Sequence, residues 1–240
     1  MAKSKKSSTG SLEIGSMERK IEFKQRKFKL SEKQKQLLDI CLNPETKIVF
    51  IAGPAGSTKT WISVYAALNL LAANKDWDLT YIRSIAESGD KGLGSLPGTV
   101  DEKFSPFLIP LEDKMDEIIT APTMVSLRKD GVINAMPVNF VRGSSWQNKV
   151  VVCDECQNFS KKELVTLLTR VGENAKIFLS GDLMQSDIRS SGFSRFLDCF
   201  DNEESKAKGI YVFKFNKDDI FRSEILKFIV DKIENMDKKV

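Results

Sequence analysis

An α/β fold, a parallel sheet joined by crossover helices, is what this sequence predicts, and three observations predict it. Short apolar runs of strand length alternate with longer helical stretches from residue 30 onward. A glycine-containing turn, GPAGSTKT at 53–60, follows the first apolar run and precedes a helical one. A pair of acidic residues, Asp154-Glu155, closes another apolar run, KVVVC. Strands that alternate with helices pair in parallel, because the connecting helix must return the chain to the same end of the sheet.

The elements follow in order. The segment LSEKQKQLL precedes the first run, KIVFIA (47–52), which reads as a strand. WISVYAALNLLAAN (61–74) is apolar around most of its circumference and reads as a buried helix. LTYIRSI (79–85) is a second strand, and the stretch 86–115 after it opens with four glycines in thirteen residues before turning helical. A loop at the C-terminal end of a strand is where open α/β sheets bind ligands. VNFV (138–141), KVVVC (149–153), KIFLS (176–180) and IYVFKF (210–215) read as further strands. IFRSEILKFIVDKIENM (220–236) then places Ile225, Phe228, Ile229, Ile233 and Met236 on one helical face.

With 240 residues and 41% hydrophobic content, the chain suits one packed domain with short appendages. Residues 1–29 carry nine basic side chains against three acidic ones, so with a net charge of +4 the remainder is slightly acidic. This segment reads as a basic, largely disordered tail, either simply solvating or an arm for nucleic acid, and residues 30–240 read as a single domain. No run approaches the roughly 18 apolar residues that span a bilayer, and the first residues lack the apolar segment of a secretory signal, so an intracellular, cytoplasmic protein with no membrane partner is expected. Cys153 and Cys156 have the spacing of a zinc knuckle or redox pair, but no second such pair exists and packing of a small thiol at a strand end is the simpler reading. The chain has no histidine, which removes Ser-His-Asp, Cys-His and histidine-ligated metal chemistry together. Catalysis here must use carboxylates, Lys, Arg or a metal.

The turn Gly53-Pro54-Ala55-Gly56-Ser57-Thr58-Lys59-Thr60 matches the phosphate-binding pattern G-x-x-x-x-G-K-[ST] except that Thr58 stands where the inner glycine belongs. A strand before and a helix after are what such a loop needs, since its backbone N–H groups and the helix N-terminus must converge on phosphates. Lys59 is then expected on the β and γ phosphates of ATP and Thr60 on magnesium. Thr58 keeps its N–H donor, and its side chain costs little if the residue is already helical. Asp154 at the end of KVVVC is placed to hold magnesium and Glu155 to activate water, although the pair could instead cap the following helix. Gln185 and Asp182, after KIFLS, would stand beside the same sheet edge, where an amide suits a sensor of γ-phosphate and attacking water.

Taken together, GPAGSTKT, SLPGTVDEKFSPFLIPLEDKM, NFVRGSSWQNKVVVCDECQN, SGDLMQSDI and FNKDDIFRSEIL resemble the PhoH family of ATPases, related to superfamily 1 helicase cores, over roughly residues 30 to 232. The resemblance implies a RecA-like P-loop NTPase fold, three-layered with a mostly parallel central sheet. It implies that Lys59 and Thr60 bind nucleotide and magnesium, Asp154 binds magnesium, Glu155 is the catalytic carboxylate and Gln185 senses phosphate. Gln34 is similar to the helicase adenine-reading glutamine, or is a surface helix residue. Arg142 and Arg222 are candidate arginine fingers, and either could be an ordinary surface arginine. The sequence departs from the family at Thr58, and at Cys156, where the family has alanine.

One RecA-like core cannot clamp a nucleotide from both sides, so the arginine must come from a neighbouring subunit or not at all, and a homo-oligomeric ring, hexameric by resemblance, is expected. ATP hydrolysis coupled to RNA or single-stranded nucleic-acid remodelling is the leading expectation, with RNA implied by resemblance alone. The rivals are a non-hydrolysing nucleotide-binding assembly protein and a P-loop phosphotransferase.

Overall fold

The computed structural model describes residues 23–84, 100–141, 146–185, 191–220, 225 and 228–232, with backbone alone for 100–107. Six strands form one sheet: β1 (Ile48–Ala52), β2 (Asp78–Arg83), β3 (Ile133–Pro137), β4 (Lys149–Asp154), β5 (Ala175–Gly181) and β6 (Ile210–Lys214). Their order is β3-β2-β4-β5-β1-β6, and every pairing is parallel. The seven helices described are α1 (Glu32–Leu42), α2 (Lys59–Ala73), α3 (Val100–Ile118), α4 (Ala121–Lys129), α5 (Lys161–Leu168), α6 (Phe193–Phe200) and α7 (Glu203–Ala207).

Strand alternation sorts the apolar residues into two cores. Val49 and Ile51 of β1, with Val150, Val152 and Phe178, join a core built with α1, α2, α3 and α4. Ile48, Phe50 and Ala52, with Val151, Cys153, Ile177 and Leu179, join another built with α5 and α6. This is a three-layer α/β architecture with a parallel central sheet, as the sequence predicts. Because both faces are covered, β1 reads as an unbroken apolar run and all five of its residues are buried. α2 is likewise buried around most of its surface, from Ile62 to Leu71, because it lies on β4 and β5 beside α1 and α3.

Position in the sheet matters for the site. β5 lies between β1 and β4, so the C-terminal ends of all three open on one edge, and the residues leaving β5 stand between those leaving β1 and β4.

One expectation about the elements needs correction. VNFV is not a strand: the edge strand is Ile133–Pro137, and Val138–Phe140 forms a single 3-10 turn. Pro137, paired with Arg83, has no N–H to offer and ends the ladder; Val138 and Val141 are buried from a turn instead. The helix expected over 220–236 is present where it is described, at Ile225 and at 228–232, with Ile225 61% and Phe228 57% exposed; Ile233 and Met236 lie outside the described residues. The glycine-rich stretch 85–99 lies outside the described residues.

Candidate functional site

The loop from Gly53 to Thr58 joins β1 to α2 and forms part of a cavity of about 620 Å3. Gly53 is needed here because a Cβ would lie 2.7 Å from the Cβ of Phe215 just after β6. Gly56 turns at φ 80, in the left-handed region that glycine enters freely. The condition under which the Thr58 side chain would cost little, a residue already helical, is not met. Thr58 is the N-cap of α2 at φ 63 and ψ 17, one residue before the helix, in the left-handed conformation that glycine would enter without steric cost. The strain has a partner: Gln34 Nε2 donates to Thr58 Oγ1 at 2.9 Å.

Gln34 is not a surface residue. It is buried, and its Oε1 accepts from the Ser31 N–H at 2.9 Å as half of the capping box that starts α1. Lys59 turns back on its own loop, with Nζ donating to the carbonyls of Gly53 at 2.7 Å and Pro54 at 2.8 Å. Burial lowers the pKa of its amine, and the charges of Asp182, Asp154 and Glu155 oppose that shift.

Thr60 Oγ1 donates to Asp154 Oδ1 at 2.7 Å, joining the first turn of α2 to the end of β4. The other carboxylate oxygen, Oδ2, accepts from the hydroxyl of Tyr81 at 2.6 Å. Tyr81 is fully buried; burial first, and then the charge of Asp154, raise its pKa well above the ordinary phenol value. Glu155, at φ 54, leaves the strand and turns its carboxylate toward the cavity, where Oε2 accepts from Gln157 Nε2 at 2.5 Å and Oε1 lies 4.0 Å from Arg83 Nη2. Gln157, almost wholly buried, also donates to the Gln185 carbonyl at 3.3 Å and accepts from the Asp182 N–H at 2.9 Å. It ties the ends of β4 and β5 together.

Thus Gln34, Ala55, Gly56, Thr58, Lys59, Thr60, Asp154, Glu155, Asp182 and Gln185 line one cavity, as the sequence predicts for the loop and the two strand ends. Pro54 and Ser57 support the loop from within, Ser57 Oγ donating to the Pro54 carbonyl at 2.7 Å. Arg142 and Arg222, the candidate fingers, lie outside the described residues. Sequence reasoning passed over Gln157, although it lies within the quoted DECQN motif, and Arg83, whose place at a strand end was the available signal. Nothing local marks Tyr81, and the aromatic residues Phe28 and Trp61, packed edge to face at 4.7 Å beside the loop, came without signal as well.

Thr60 and Asp154 fit magnesium: two hard oxygen donors at a strand end and a helix start, with room beside them for the phosphates and waters that supply most magnesium ligands. Cys153 and Cys156 are both fully buried, and burial raises the pKa of the Cys156 thiol well above its ordinary value, so they pack the strand end as small hydrophobic residues.

A family model described as PhoH-like protein matches residues 28–234. The chain belongs to the PhoH family. Protein PhoH of Escherichia coli (strain K12) is 34% identical over 184 residues, which cover 75% of this chain and 51% of that protein. The PhoH-like protein of Mycobacterium leprae (strain TN) is 32% identical over 187 residues, covering 77% of this chain and 52% of the relative. That of Bacillus subtilis (strain 168) is 29% identical over 184 residues, covering 77% and 57%. This PhoH family member therefore spans about half the length of the curated relatives it matches. Among solved structures, the Pif1 helicase from Candida albicans matches with a TM-score of 0.39 and 15% identity over 79% of this chain and 41% of that one. No helix among the described residues is long and apolar enough to cross a membrane.

Proposed function

We propose that this chain binds ATP with magnesium and hydrolyses it, and that it couples hydrolysis to binding or unwinding RNA or single-stranded nucleic acid in a ring oligomer. The observation that carries the reading is the Thr60–Asp154 hydrogen bond, which puts a phosphate loop and an acidic strand end in direct contact within one cavity that also holds Glu155 and Gln185.

In this reading the loop N–H groups and the start of α2 receive the phosphates. Lys59 exchanges the Gly53 and Pro54 carbonyls for phosphate oxygens, which offer its ammonium full negative charge in place of neutral dipoles. Magnesium held by Thr60 and Asp154 supplies charge neutralisation on the terminal phosphates. Glu155, held through Oε2 by Gln157, orients the attacking water and takes its proton, and Gln185 donates to or accepts from the same water. Phe28 and Trp61 offer an aromatic surface to the base beside Gln34. In this reading an arginine from a neighbouring subunit completes the site, within a ring that is hexameric by family resemblance.

Steady-state hydrolysis with magnesium, with and without single-stranded RNA, tests this. Wild type should turn over and respond to RNA, and Lys59→Ala or Glu155→Gln should lower kcat by at least about a hundredfold. Light scattering should find an assembly larger than a monomer with magnesium nucleotide; a persistent monomer would refute the ring. The left-handed Thr58 supports one second reading, binding without turnover, and a wild type that is silent while Thr58→Gly hydrolyses ATP would favour it.

A further inference from the structure

We infer that Tyr81 is a positioning residue for Asp154, holding its carboxylate so that one oxygen alone is offered to a divalent cation and magnesium is selected over calcium. This rests on the proposed reading of Asp154 as a magnesium ligand.

Tyr81 lies on β2, next to β4, two residues before Arg83, whose register partner is Asp154. Its ring is fully buried under the site and its hydroxyl reaches Asp154 Oδ2 at 2.6 Å. A buried hydroxyl without a partner is costly, and a buried carboxylate oxygen without a donor more so, so each satisfies the other. Oδ2 is thereby turned into the core, while Oδ1 faces Thr60 Oγ1 at 2.7 Å. The two oxygens of one carboxylate have separate partners: Oδ2 a buried hydroxyl on the next strand, and Oδ1 the hydroxyl at the start of α2, beside the cavity.

That division discriminates between cations. Magnesium keeps a compact octahedral shell with several waters and takes single oxygens from the protein, whereas calcium takes more ligands at longer distance and often both oxygens of a carboxylate. With Oδ2 held by Tyr81, two-oxygen ligation requires that oxygen to share its lone pairs with a buried hydroxyl whose direction is fixed, or to give up the bond. Partners that orient metal ligands from behind have measurable effects on affinity. No titration is involved: the hydroxyl acts as a donor of fixed direction.

The test follows binding of a fluorescent non-hydrolysable ATP analogue to the full chain during magnesium and calcium titrations, with hydrolysis measured in parallel. The isosteric Tyr81→Phe should raise half-saturating magnesium about tenfold and narrow the magnesium-over-calcium preference, with kcat at saturating magnesium within about twofold of wild type. Analogue binding in the absence of metal should not change. In an Asp154→Asn background, Tyr81→Phe should add no further loss, because the hydroxyl acts through that carboxylate. A wild-type magnesium curve for Tyr81→Phe, at any melting temperature, would overturn the inference. So would equal weakening of metal-free and metal-dependent binding, the signature of a packing defect. A wild type that binds no magnesium nucleotide at all would refute the underlying reading and the inference with it, whereas normal wild-type binding with an indifferent Tyr81→Phe would refute the inference alone.

Discussion

At Thr58 the chain holds a β-branched residue at φ 63, which costs roughly 1–2 kcal/mol relative to an ordinary conformation. Its hydroxyl accepts from buried Gln34, an interaction that contributes on the order of 1 kcal/mol. Replacing it with glycine relieves the strain, removes the hydrogen bond and adds chain entropy to the unfolded state of about 0.5–1 kcal/mol. These terms nearly cancel, so Thr58→Gly should unfold within about 1 kcal/mol of wild type in urea. The coupling is more diagnostic than the sum: Thr58→Gly and Gln34→Ala should be non-additive by about 0.5–1.5 kcal/mol in a double-mutant cycle. Additive effects would mean that the amide and hydroxyl do not share a hydrogen bond in solution. Glycine's absence at 58 is visible in the sequence; the left-handed backbone is not, because a shift of one residue in the helix start separates helical from left-handed geometry.

Elements are held to the site by caps and bridges. Ser31 begins α1 through a reciprocal capping box with Gln34, so Ser31→Ala should lower stability by about 1 kcal/mol. The variant loses the acceptor of the Gln34 backbone N–H but keeps the backbone N–H from which Gln34 Oε1 accepts, so any adenine-over-guanine preference in nucleotide competition should be retained. Gln157 joins the ends of β4 and β5, donating to Glu155 and Gln185 and accepting from Asp182. Gln157→Leu leaves the buried Asp182 N–H without this acceptor and should destabilise by about 1–3 kcal/mol in chemical denaturation, with a fall in kcat larger than any change in KM for ATP. Equal kcat in the variant would show that Glu155 needs no such support. Strand and helix periods made β1, β2, β4, β5, β6 and α2 legible. β3 was misplaced because the apolar run VNFV signals burial without specifying geometry, and Pro137 ends the strand before it begins.

For the molecule as a whole, the core beneath α5 and α6 gathers Phe50 of β1 with Phe193, Phe196 and Phe200 of α6, Phe50 and Phe200 stacking at 5.4 Å. Phe50 is fully buried, so Phe50→Ala should cost about 3–5 kcal/mol, a large share of the 5–15 kcal/mol that typically holds a domain together. A loss below about 1 kcal/mol would mean that the core closes over the cavity. Since β1 also launches the phosphate loop, the same variant should weaken nucleotide binding more than a comparable truncation of Leu167 on α5.

From the sequence alone came the parallel α/β class, the phosphate loop, the acidic strand end and the absence of histidine chemistry. These are local properties: periodicity, turn residues and composition act over a few neighbours. Tertiary structure alone decided that Thr58 is left-handed and bonded to Gln34, that Gln157 bridges two strand ends, and that Tyr81 reaches Asp154 from the next strand. Each depends on tertiary packing, of α1 against α2 for Gln34 and of neighbouring strands for Gln157 and Tyr81, which brings residues 24 to 73 positions apart within hydrogen-bonding distance, and no short-range pattern encodes which elements become neighbours.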